Sequence, residues 1–316
     1  MSELTPSCGS SETTRKAPSF LTEDFYAHGQ APHVPRVSEA FLQWFVGFFE
    51  GDGCLSIFIA SDTKTKTRLC LNISQKEKTI ITLIATTFGF GNISSSTQGN
   101  QTYWRWSLGS KTSLERIVFL LAGNLILPKR QVQFQKWIEA GEQKGMFQPP
   151  FNKNKPWVAK VAFDNAWLSG FIDAEGCFYA YCRDRNFDEI TFKPMMSLEQ
   201  TMTLTQKDID RGEALVFETI LLLFESNGKV HRAKKPPDFN SESIYVTIRL
   251  NSLKSQHLIV NYLLKHKLRT IKYLSFHRWW RIYLYRIDGW HNSEKSIKKI
   301  RRLVKAINVH TKKSYE

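Results

Sequence analysis

One short segment occurs twice in this chain, at residues 44–54 and again at residues 167–177. The two copies read WFVGFFEGDGC and WLSGFIDAEGC. Each copy therefore has a tryptophan, a glycine, a phenylalanine, two acids, and a final glycine and cysteine at matching positions. A long-range repeat of this kind predicts two structurally similar halves within one chain.

The acids at the end of each copy lie in an unusual electrostatic setting. An apolar stretch typical of a helix ends in Glu50 and Asp52 in the first copy, and in Asp173 and Glu175 in the second. A helix C-terminus carries partial negative charge, which disfavours carboxylates. Two copies brought together would concentrate up to four acids, and hard divalent cations neutralise such clusters through oxygen ligands. The alternative is that each acid caps a turn and faces water.

Composition limits the class of partner. The chain has 316 residues, with 44 Lys and Arg against 29 acids, a net charge of +15 and a pI near 9.6. A protein this basic usually binds a polyanion, most commonly nucleic acid, and an anionic membrane surface is the alternative. A hydrophobic content of 42% predicts a globular protein. The sequence contains no apolar run long enough to predict a membrane-spanning helix.

Cysteine usage and the N-terminal composition carry less information. The five cysteines are odd in number and lack zinc-ligand spacing. Cys54 and Cys177 follow the motif glycines, where we expect them to be small buried residues in a reducing compartment. Residues 1–37 are polar and contain several prolines, which predicts a poorly ordered arm. The mixed charge of this arm does not indicate a transit peptide.

Hydrophobic periodicity and turn residues predict the same order of elements in both halves. In the first half we expect a helix capped by Ser38 at 39–50, strands at 54–60 and 68–74, a helix at 77–88, strands at 92–96 and 102–108, and helices at 112–122 and 128–142. In the second half we expect a helix capped by Asp164, strands at 177–183 and 196–205, a helix at 209–226, a hairpin ending in a strand at 243–250, and helices at 253–267, 270–286 and 293–307. Residues 145–163 are the predicted linker between half-domains 38–144 and 164–316.

Two further repeats support the division into halves. The segment ISQKE ending at Glu77 is matched by LTQKD ending at Asp208, and both lie where a strand gives way to a helix. This pattern is typical of a capped helix N-terminus, and it also allows Gln75 and Gln206 to point toward the motif acids. A weaker match pairs residues 129–137 with 271–279.

The two motif copies resemble the sequence for which the LAGLIDADG homing endonucleases are named, and the resemblance covers residues 38–308. It is closest to the single-chain branch with two motifs. The resemblance implies an α+β fold of two pseudo-symmetric αββαββα half-domains. In that fold the motif helices pack on a pseudo-twofold axis, and the four-stranded antiparallel sheets form a saddle on the DNA major groove.

The resemblance also implies a function and a site. It predicts a monomeric endonuclease that cuts a long asymmetric double-stranded DNA target using Mg²⁺, with Ca²⁺ able to occupy the site without supporting cleavage. The implied metal ligands are Asp52, Glu175, Gly51 and Ala174. The implied catalytic residues are Asp52, Glu175, Gln75, Gln206, Lys129, Arg130 and Lys272. Family members are often encoded in organellar introns, which implies an organellar location, most often the mitochondrion.

Physical reasoning on the motif residues agrees with this site. Gly47 and Gly170 lack side chains and would let two helix backbones approach closely. The neighbouring apolar residues, Phe45, Phe48, Phe49, Leu168, Phe171 and Ile172, would then pack the cores of the halves. Close approach would bring Asp52 and Glu175 into one site, where metal ions near phosphates can activate water. We expect Glu50 and Asp173 to support the helix ends or to be solvated.

Side chains alternate between the two faces of a sheet, so one face of each sheet is free to contact bases. The predicted DNA-contacting strand residues are Arg68, Asn72, Tyr103, Arg105, Ser107, Tyr179, Tyr181, Arg183, Thr201, Thr203, Tyr245, Thr247 and Arg249. Lys298, Arg301 and Arg302 on the last helix are predicted phosphate contacts. The aromatic residues around Trp279 have helical spacing and are predicted to lie in the core.

Two other functions remain open from the sequence. One is an intron maturase that binds RNA, but this activity would require neither Asp52 nor Glu175. The other is a glycosidase with paired carboxylates, which the basic charge balance disfavours. Binding to membranes is not expected.

Overall fold

The computed structural model describes residues 20–59, 67–147, 150–184, 190–203, 207–234, 243–289 and 293–310. The first half contains α1 (Glu39–Asp52), β1 (Gly53–Ile59), β2 (Thr67–Gln75), α2 (Lys78–Phe88), β3 (Asn92–Gln98), β4 (Gln101–Leu108), α3 (Lys111–Leu121) and α4 (Pro128–Glu142). The second half contains α5 (Trp167–Glu175), β5 (Gly176–Asp184), β6 (Ile190–Thr203), α6 (Lys207–Leu223), β7 (His231–Lys234), β8 (Ser243–Leu250), α7 (Leu253–Lys265), α8 (Lys272–Ile287) and α9 (Glu294–Ala306). The predicted order of elements and the α+β class are confirmed.

Within these described ranges, none of the helices has the length and apolarity that crossing a membrane requires.

Each half contains one antiparallel four-stranded sheet, with strand orders β1-β2-β4-β3 and β5-β6-β8-β7. Alternation along β2 buries Leu69, Leu71 and Ile73 against the helices and turns the intervening residues to the opposite face. Strand β6 begins at Ile190 and not near residue 196 as predicted, because β5 continues to pair with it as far as Asp184. Each sheet therefore has one buried face and one open face.

The two halves meet where α1 contacts α5. A Cβ atom added at Gly47 would lie 1.9 Å from the Trp167 carbonyl oxygen, and one at Gly170 would lie 1.8 Å from the Trp44 carbonyl oxygen. Both helix backbones thus occupy the space that any side chain would need. The six apolar motif residues around the glycines are fully buried, as predicted.

The segment before α1 is packed onto the protein from residue 20 onward. Phe25 is fully buried, and a π-helical turn at Phe25–Gly29 lies against α3. The Asn124 side chain accepts a hydrogen bond from the Leu21 N–H (2.8 Å) and donates one to the Leu21 carbonyl (2.6 Å). The expectation of a poorly ordered arm is therefore wrong for residues 20–37, because their apolar side chains complete the core. Residues 1–19 lie outside the described part of the chain.

The linker also contacts the first half, because the Val158 N–H donates to the Gly123 carbonyl (2.9 Å). The second motif helix begins at Trp167 and is preceded by Asn165, whose Oδ1 accepts the Trp167 N–H at 3.1 Å. The N-cap position is Ala166, which has no side chain able to accept a hydrogen bond, so the prediction that Asp164 caps this helix is wrong.

Cys54 and Cys177 are exposed, contrary to the expectation that they are buried. Strands β1 and β5 begin at the preceding glycines, so the cysteines occupy the first positions on the open face of each sheet.

The close helix contact predicts that Gly47→Ala destabilises the protein. The added methyl would have to push α1 and α5 apart and would cost about 1–3 kcal/mol of unfolding free energy, or more. Urea unfolding would measure this loss. Gly109→Ala is the matched control, because a Cβ there meets its nearest atom at an ordinary 3.5 Å. Equal stability of Gly47→Ala and Gly109→Ala would show that the helices are not in contact at this point.

Candidate active site

Asp52 and Glu175 converge where α1 and α5 end. A Cβ atom added at Gly51 would lie 2.3 Å from the Ala174 Cβ and 3.1 Å from the Glu175 Cγ. The Asp52 carboxylate accepts a hydrogen bond of 2.6 Å from the Gln75 Nε2 at the end of β2. The contact of the motif helices thus brings the last acid of each copy into one site.

Burial and mutual repulsion change the ionisation of both acids. Burial and, to a lesser extent, the nearby Asp52 charge together raise the pKa of Glu175 to about 7, while Lys272, Arg130 and Lys129 oppose the shift. Burial also raises the pKa of Asp52, against the opposing effects of Lys272 and Gln75. The raised pKa values mean that both carboxylate forms are disfavoured when no cation is bound. A bound cation would stabilise these charged forms, so the pair suits a cation site.

Arg130 and Lys272 occupy equivalent places in the two halves. The Arg130 guanidinium donates to the carbonyls of Glu50 (2.7 Å) and Gly51 (2.9 Å). The Lys272 ammonium donates to the carbonyls of Ala174 (2.6 Å) and Ile172 (3.4 Å). Each cation thereby offsets the negative C-terminal end of a motif helix, which allows that helix to end in acids.

Lys129 makes the basic surroundings of the site asymmetric. Its ammonium crosses to the second half and donates to the Thr201 carbonyl at 2.9 Å. Its charge also lowers the pKa of Glu175. The matching residue in the second half is the apolar Ile271, so the two halves supply different positive charge to the site.

Glu50 and Asp173 are buried and hold the halves together, so the alternative that they are solvated is wrong. Glu50 accepts the Leu127 N–H (2.6 Å), the Ile126 N–H (2.9 Å) and the Trp167 Nε1–H (2.5 Å). Burial raises the pKa of Glu50 to about 8 despite these donors.

Asp173 makes the equivalent contacts in the second half. It accepts the Arg269 N–H (2.7 Å), the Thr270 Oγ1–H (2.5 Å) and the Trp44 Nε1–H (2.8 Å). Each motif tryptophan therefore bonds an acid of the opposite motif. The repeated tryptophan was visible in the sequence, but its partner became evident only from the packing of α1 on α5.

The oxygen atoms at the site fit a hard divalent cation. Two carboxylates converge beside the Gly51 and Ala174 carbonyls, and each carbonyl oxygen has a second lone pair beyond its bond to Arg130 or Lys272. The part of the chain that the structure describes contains no group of three or more acidic, histidine or cysteine side chains placed to hold a metal ion. The protein side chains at this site are therefore too few to fill the coordination shell of a cation. A bound divalent cation would therefore complete its coordination with water or other external oxygens, as Mg²⁺ commonly does in proteins.

The predicted strand residues of the first half share the open face of their sheet. Asn72 lies opposite both Cys54 and Ser107, and Ser74 lies opposite Arg105, so the alternation is continuous across three strands. Arg68 and Arg105 are exposed, and the Arg105 Nε donates to the Ser74 hydroxyl at 3.0 Å. Tyr103 lies on the same face.

The second sheet has the same arrangement. Ser197 lies opposite Cys177 and Arg249, and the pairs of β6 with β8 place Thr201 opposite Tyr245. Tyr179, Tyr181 and Thr247 are also on this face, although Thr247 is only 8% exposed. The side chains of Arg183 and Thr203, and the whole of Gln206, lie outside the described part of the structure. Lys298, Arg301 and Arg302 are exposed on α9. Contact of all these residues with DNA stays a prediction.

Sequence reasoning did not single out Lys76 as a site residue. An open cavity of about 270 Å³ beside the acids is lined by Asp52, Gln75, Lys76, Tyr103 and Lys272, among others. The Lys76 ammonium lies 5.8 Å from the centre of the Tyr103 ring. The lysine is repeated in the second half as Lys207, which is the sequence feature that could have indicated it.

The model of the family described as LAGLIDADG endonuclease matches residues 45–141 and 168–283. The chain belongs to this family. A probable intron-encoded endonuclease 4 of Neurospora crassa is 29% identical over 271 residues, which cover 85% of this chain and 44% of that protein. The intron-encoded RNA maturase bI4 of Saccharomyces cerevisiae is 26% identical over 162 residues, which cover 51% of this chain and 22% of that protein. The chain thus spans less than half the length of these two curated relatives.

Solved structures of LAGLIDADG endonucleases share the fold. I-SmaMI, solved on an uncleaved DNA target with calcium ions, is similar with a TM-score of 0.62 at 14% identity, covering 85% of this chain and 99% of that one. I-GzeII, solved in complex with its DNA target, is similar with a TM-score of 0.60 at 15% identity, covering 85% and 98%. Two pseudo-symmetric half-domains in one chain are therefore the architecture of this protein.

The bonds between tryptophans and acids predict that Trp44→Phe destabilises the protein. The change removes the indole donor from the buried Asp173 carboxylate and would cost about 1–3 kcal/mol of unfolding free energy. Trp280→Phe is the control, because Trp280 is only partly buried on α8. Chemical unfolding of both variants measures the difference. A Trp44→Phe variant no less stable than Trp280→Phe would contradict a stabilising role for this bond.

Proposed function

We propose that this protein is a site-specific endonuclease that hydrolyses both strands of a DNA duplex with the help of divalent metal. The observation that carries the proposal is the convergence of Asp52 and Glu175 at the contact of α1 with α5, beside basic side chains. The family membership and the DNA-bound structural neighbours support it. A net charge of +15 suits a polyanionic substrate.

In the proposed chemistry each residue of the site has a separate role. Asp52, Glu175 and the carbonyls of Gly51 and Ala174 would hold the metal, which would supply Lewis acidity and activate water when bound. Gln75 orients the Asp52 carboxylate through its hydrogen bond of 2.6 Å. Arg130, Lys272 and Lys129 supply positive charge beside the acids, which stabilises charge developing on phosphoryl oxygens. Gln206 is proposed to act on Glu175 as Gln75 acts on Asp52.

The proposed substrate lies across the open faces of both sheets. Polar and aromatic side chains on these faces would read base edges in the major groove. Lys298, Arg301 and Arg302 on α9 would contact phosphates without reading sequence. Both motif helices are in one chain, so the proposed active form is a monomer. We further propose Mg²⁺ as the productive metal, Ca²⁺ as a non-cleaving substitute, and an organellar, most often mitochondrial, location.

The alternative function is RNA binding as an intron maturase. The observation that favours it is the similarity to the maturase bI4, which covers half of this chain. The presence of both Asp52 and Glu175 favours the endonuclease, because promoting RNA folding requires neither carboxylate.

Cleavage and binding should separate in variants of the acids. With a randomised duplex pool and Mg²⁺, we expect the wild-type protein to select and cut a defined site. Glu175→Gln and Asp52→Asn should lose double-strand cutting by a factor of about 10³ or more. Their affinity for the selected duplex in Ca²⁺ should stay within about threefold of wild type, because most of the affinity comes from phosphate contacts. Wild-type cutting rates in either variant would refute the assignment.

Metal binding should strengthen as pH rises. Burial and Asp52 raise the pKa of Glu175 to about 7, so below pH 7 a proton competes with the metal for this carboxylate. We expect the Ca²⁺ affinity of the DNA complex to rise between pH 6 and 8 by up to about tenfold per pH unit. Calorimetric titration of wild type and Glu175→Gln measures this, and the variant should give a flatter profile. An identical slope in both proteins would assign the proton to another group.

A further inference from the structure

Two buried acids outside the proposed chemistry connect each half to the other. Glu77 precedes α2 in the first half and is 8% exposed, while Glu213 lies within α6 of the second half and is 1% exposed. The Glu77 carboxylate accepts the backbone N–H of Ile271 at 2.7 Å. The Glu213 carboxylate accepts the backbone N–H of Lys129 at 3.1 Å. Each acid therefore bonds the N-terminus of a helix from the opposite half.

The helices that receive these bonds carry the basic side chains of the site. Helix α8 begins at Lys272, directly after Ile271, and α4 begins at Pro128, directly before Lys129 and Arg130. The N-cap residues are Ile271 and Leu127, whose apolar side chains cannot accept a hydrogen bond. Backbone N–H groups at a helix N-terminus need partners from elsewhere, and the helix dipole favours a negative charge there.

The packing around each acid fixes the register of the basic helix. Glu77 also accepts the Thr79 hydroxyl at 2.8 Å, so its carboxylate is held from two directions. On the other side, a Cβ added at Gly212 would lie 2.7 Å from the Pro128 Cγ, which shows that α6 contacts the first turn of α4 directly. A shift of either helix along its axis would move its basic side chain away from the carbonyls at the end of the motif helix.

The two acids do this from non-equivalent sequence positions. Glu77 directly precedes its helix, whereas Glu213 lies in the second turn of α6. The residue that matches Glu77 in the sequence repeat is Asp208, not Glu213. The same contact is thus built twice by different means, so it does not follow merely from the duplication of the chain.

We propose that Glu77 and Glu213 are positioning residues that act across the interface, Glu77 on Lys272 and Glu213 on Lys129 and Arg130. In each case the acid of one half holds the N-terminus of a helix in the other half. The basic side chains of that helix lie near the carboxylates of Asp52 and Glu175. The predicted effect of these acids on the rate of DNA cleavage rests on the proposed endonuclease function. The placement of the lysines can be measured without any cleavage.

The placement is tested by lysine labelling of the folded 316-residue chain. Acetic anhydride is added in trace amount, and the modification of each lysine is read by mass spectrometry, with the exposed Lys299 as internal reference. Glu77→Ala should speed labelling of Lys272 by about tenfold, because this ammonium loses its buried setting. Glu77→Gln should stay near wild type, since its amide oxygen still accepts the Ile271 N–H. Glu213→Ala should have the same effect on Lys129.

Glu218→Ala is the matched control, because Glu218 is an exposed acid on the same helix as Glu213. It should leave the labelling of both lysines unchanged. Unchanged labelling of Lys272 in Glu77→Ala, or an equal change in Glu218→Ala, would overturn the positioning role. Thermal unfolding identifies a variant that fails to fold. If Glu77→Ala fails to fold, the labelling of Lys129 in Glu213→Ala decides the outcome, and unchanged labelling there overturns the proposal.

The effect on rate is tested by single-turnover cleavage of the selected duplex. Glu77→Ala should cut about 10–100-fold more slowly, with DNA affinity in Ca²⁺ unchanged within about twofold. In a Lys272→Met background, Glu77→Ala should cause no further loss, because residues acting through one group are not additive. Full additivity would indicate a general structural effect and would refute the proposal. If the wild-type protein cuts no duplex, the endonuclease proposal fails and the labelling result alone decides the positioning role.

Discussion

The contact between two glycine-bearing helices is the constraint on which the rest of this structure depends. At Gly47 and Gly170 each backbone occupies the space that a side chain on the other helix would need. Because the helices run so close together, residues four and five positions further along also come together. Gly51 then packs on Ala174, and the acids that follow them share one small volume. The proposed site is a geometric consequence of this packing.

Concentrating acids at helix C-termini carries an electrostatic cost that several groups offset. Arg130 and Lys272 bond the terminal carbonyls, while Glu50 and Asp173 are surrounded by backbone and indole N–H groups. Burial still raises the pKa values of the acids, so these partners do not remove the whole cost. The two pairs of carboxylates have different roles. Glu50 and Asp173 join the halves, and Asp52 and Glu175 are left to face the open side.

The bonds between the halves run in both directions. Trp44 donates to Asp173 and Trp167 donates to Glu50, while Glu77 and Glu213 accept N–H groups from the opposite half. Each half therefore contributes to the geometry of the other, although every half-domain has its own sheet. The asymmetry at Lys129 and Ile271 shows that the pseudo-twofold axis does not extend to the charges around the acids.

The sequence by itself determined the twofold repeat, the order of the elements, the close approach at the glycines, and Asp52 and Glu175 as the converging acids. These features follow from local periodicity and from residues whose chemistry has few alternatives. The open-face residues of both sheets also followed from simple alternation. The tertiary structure alone decided the role of Glu50 and Asp173, the packing of residues 20–37 and the exposure of Cys54 and Cys177. It also decided which acids bond the helices that carry Lys129 and Lys272. These contacts join residues far apart in the chain, and no local pattern encodes which buried donor an acid will meet once the halves have packed.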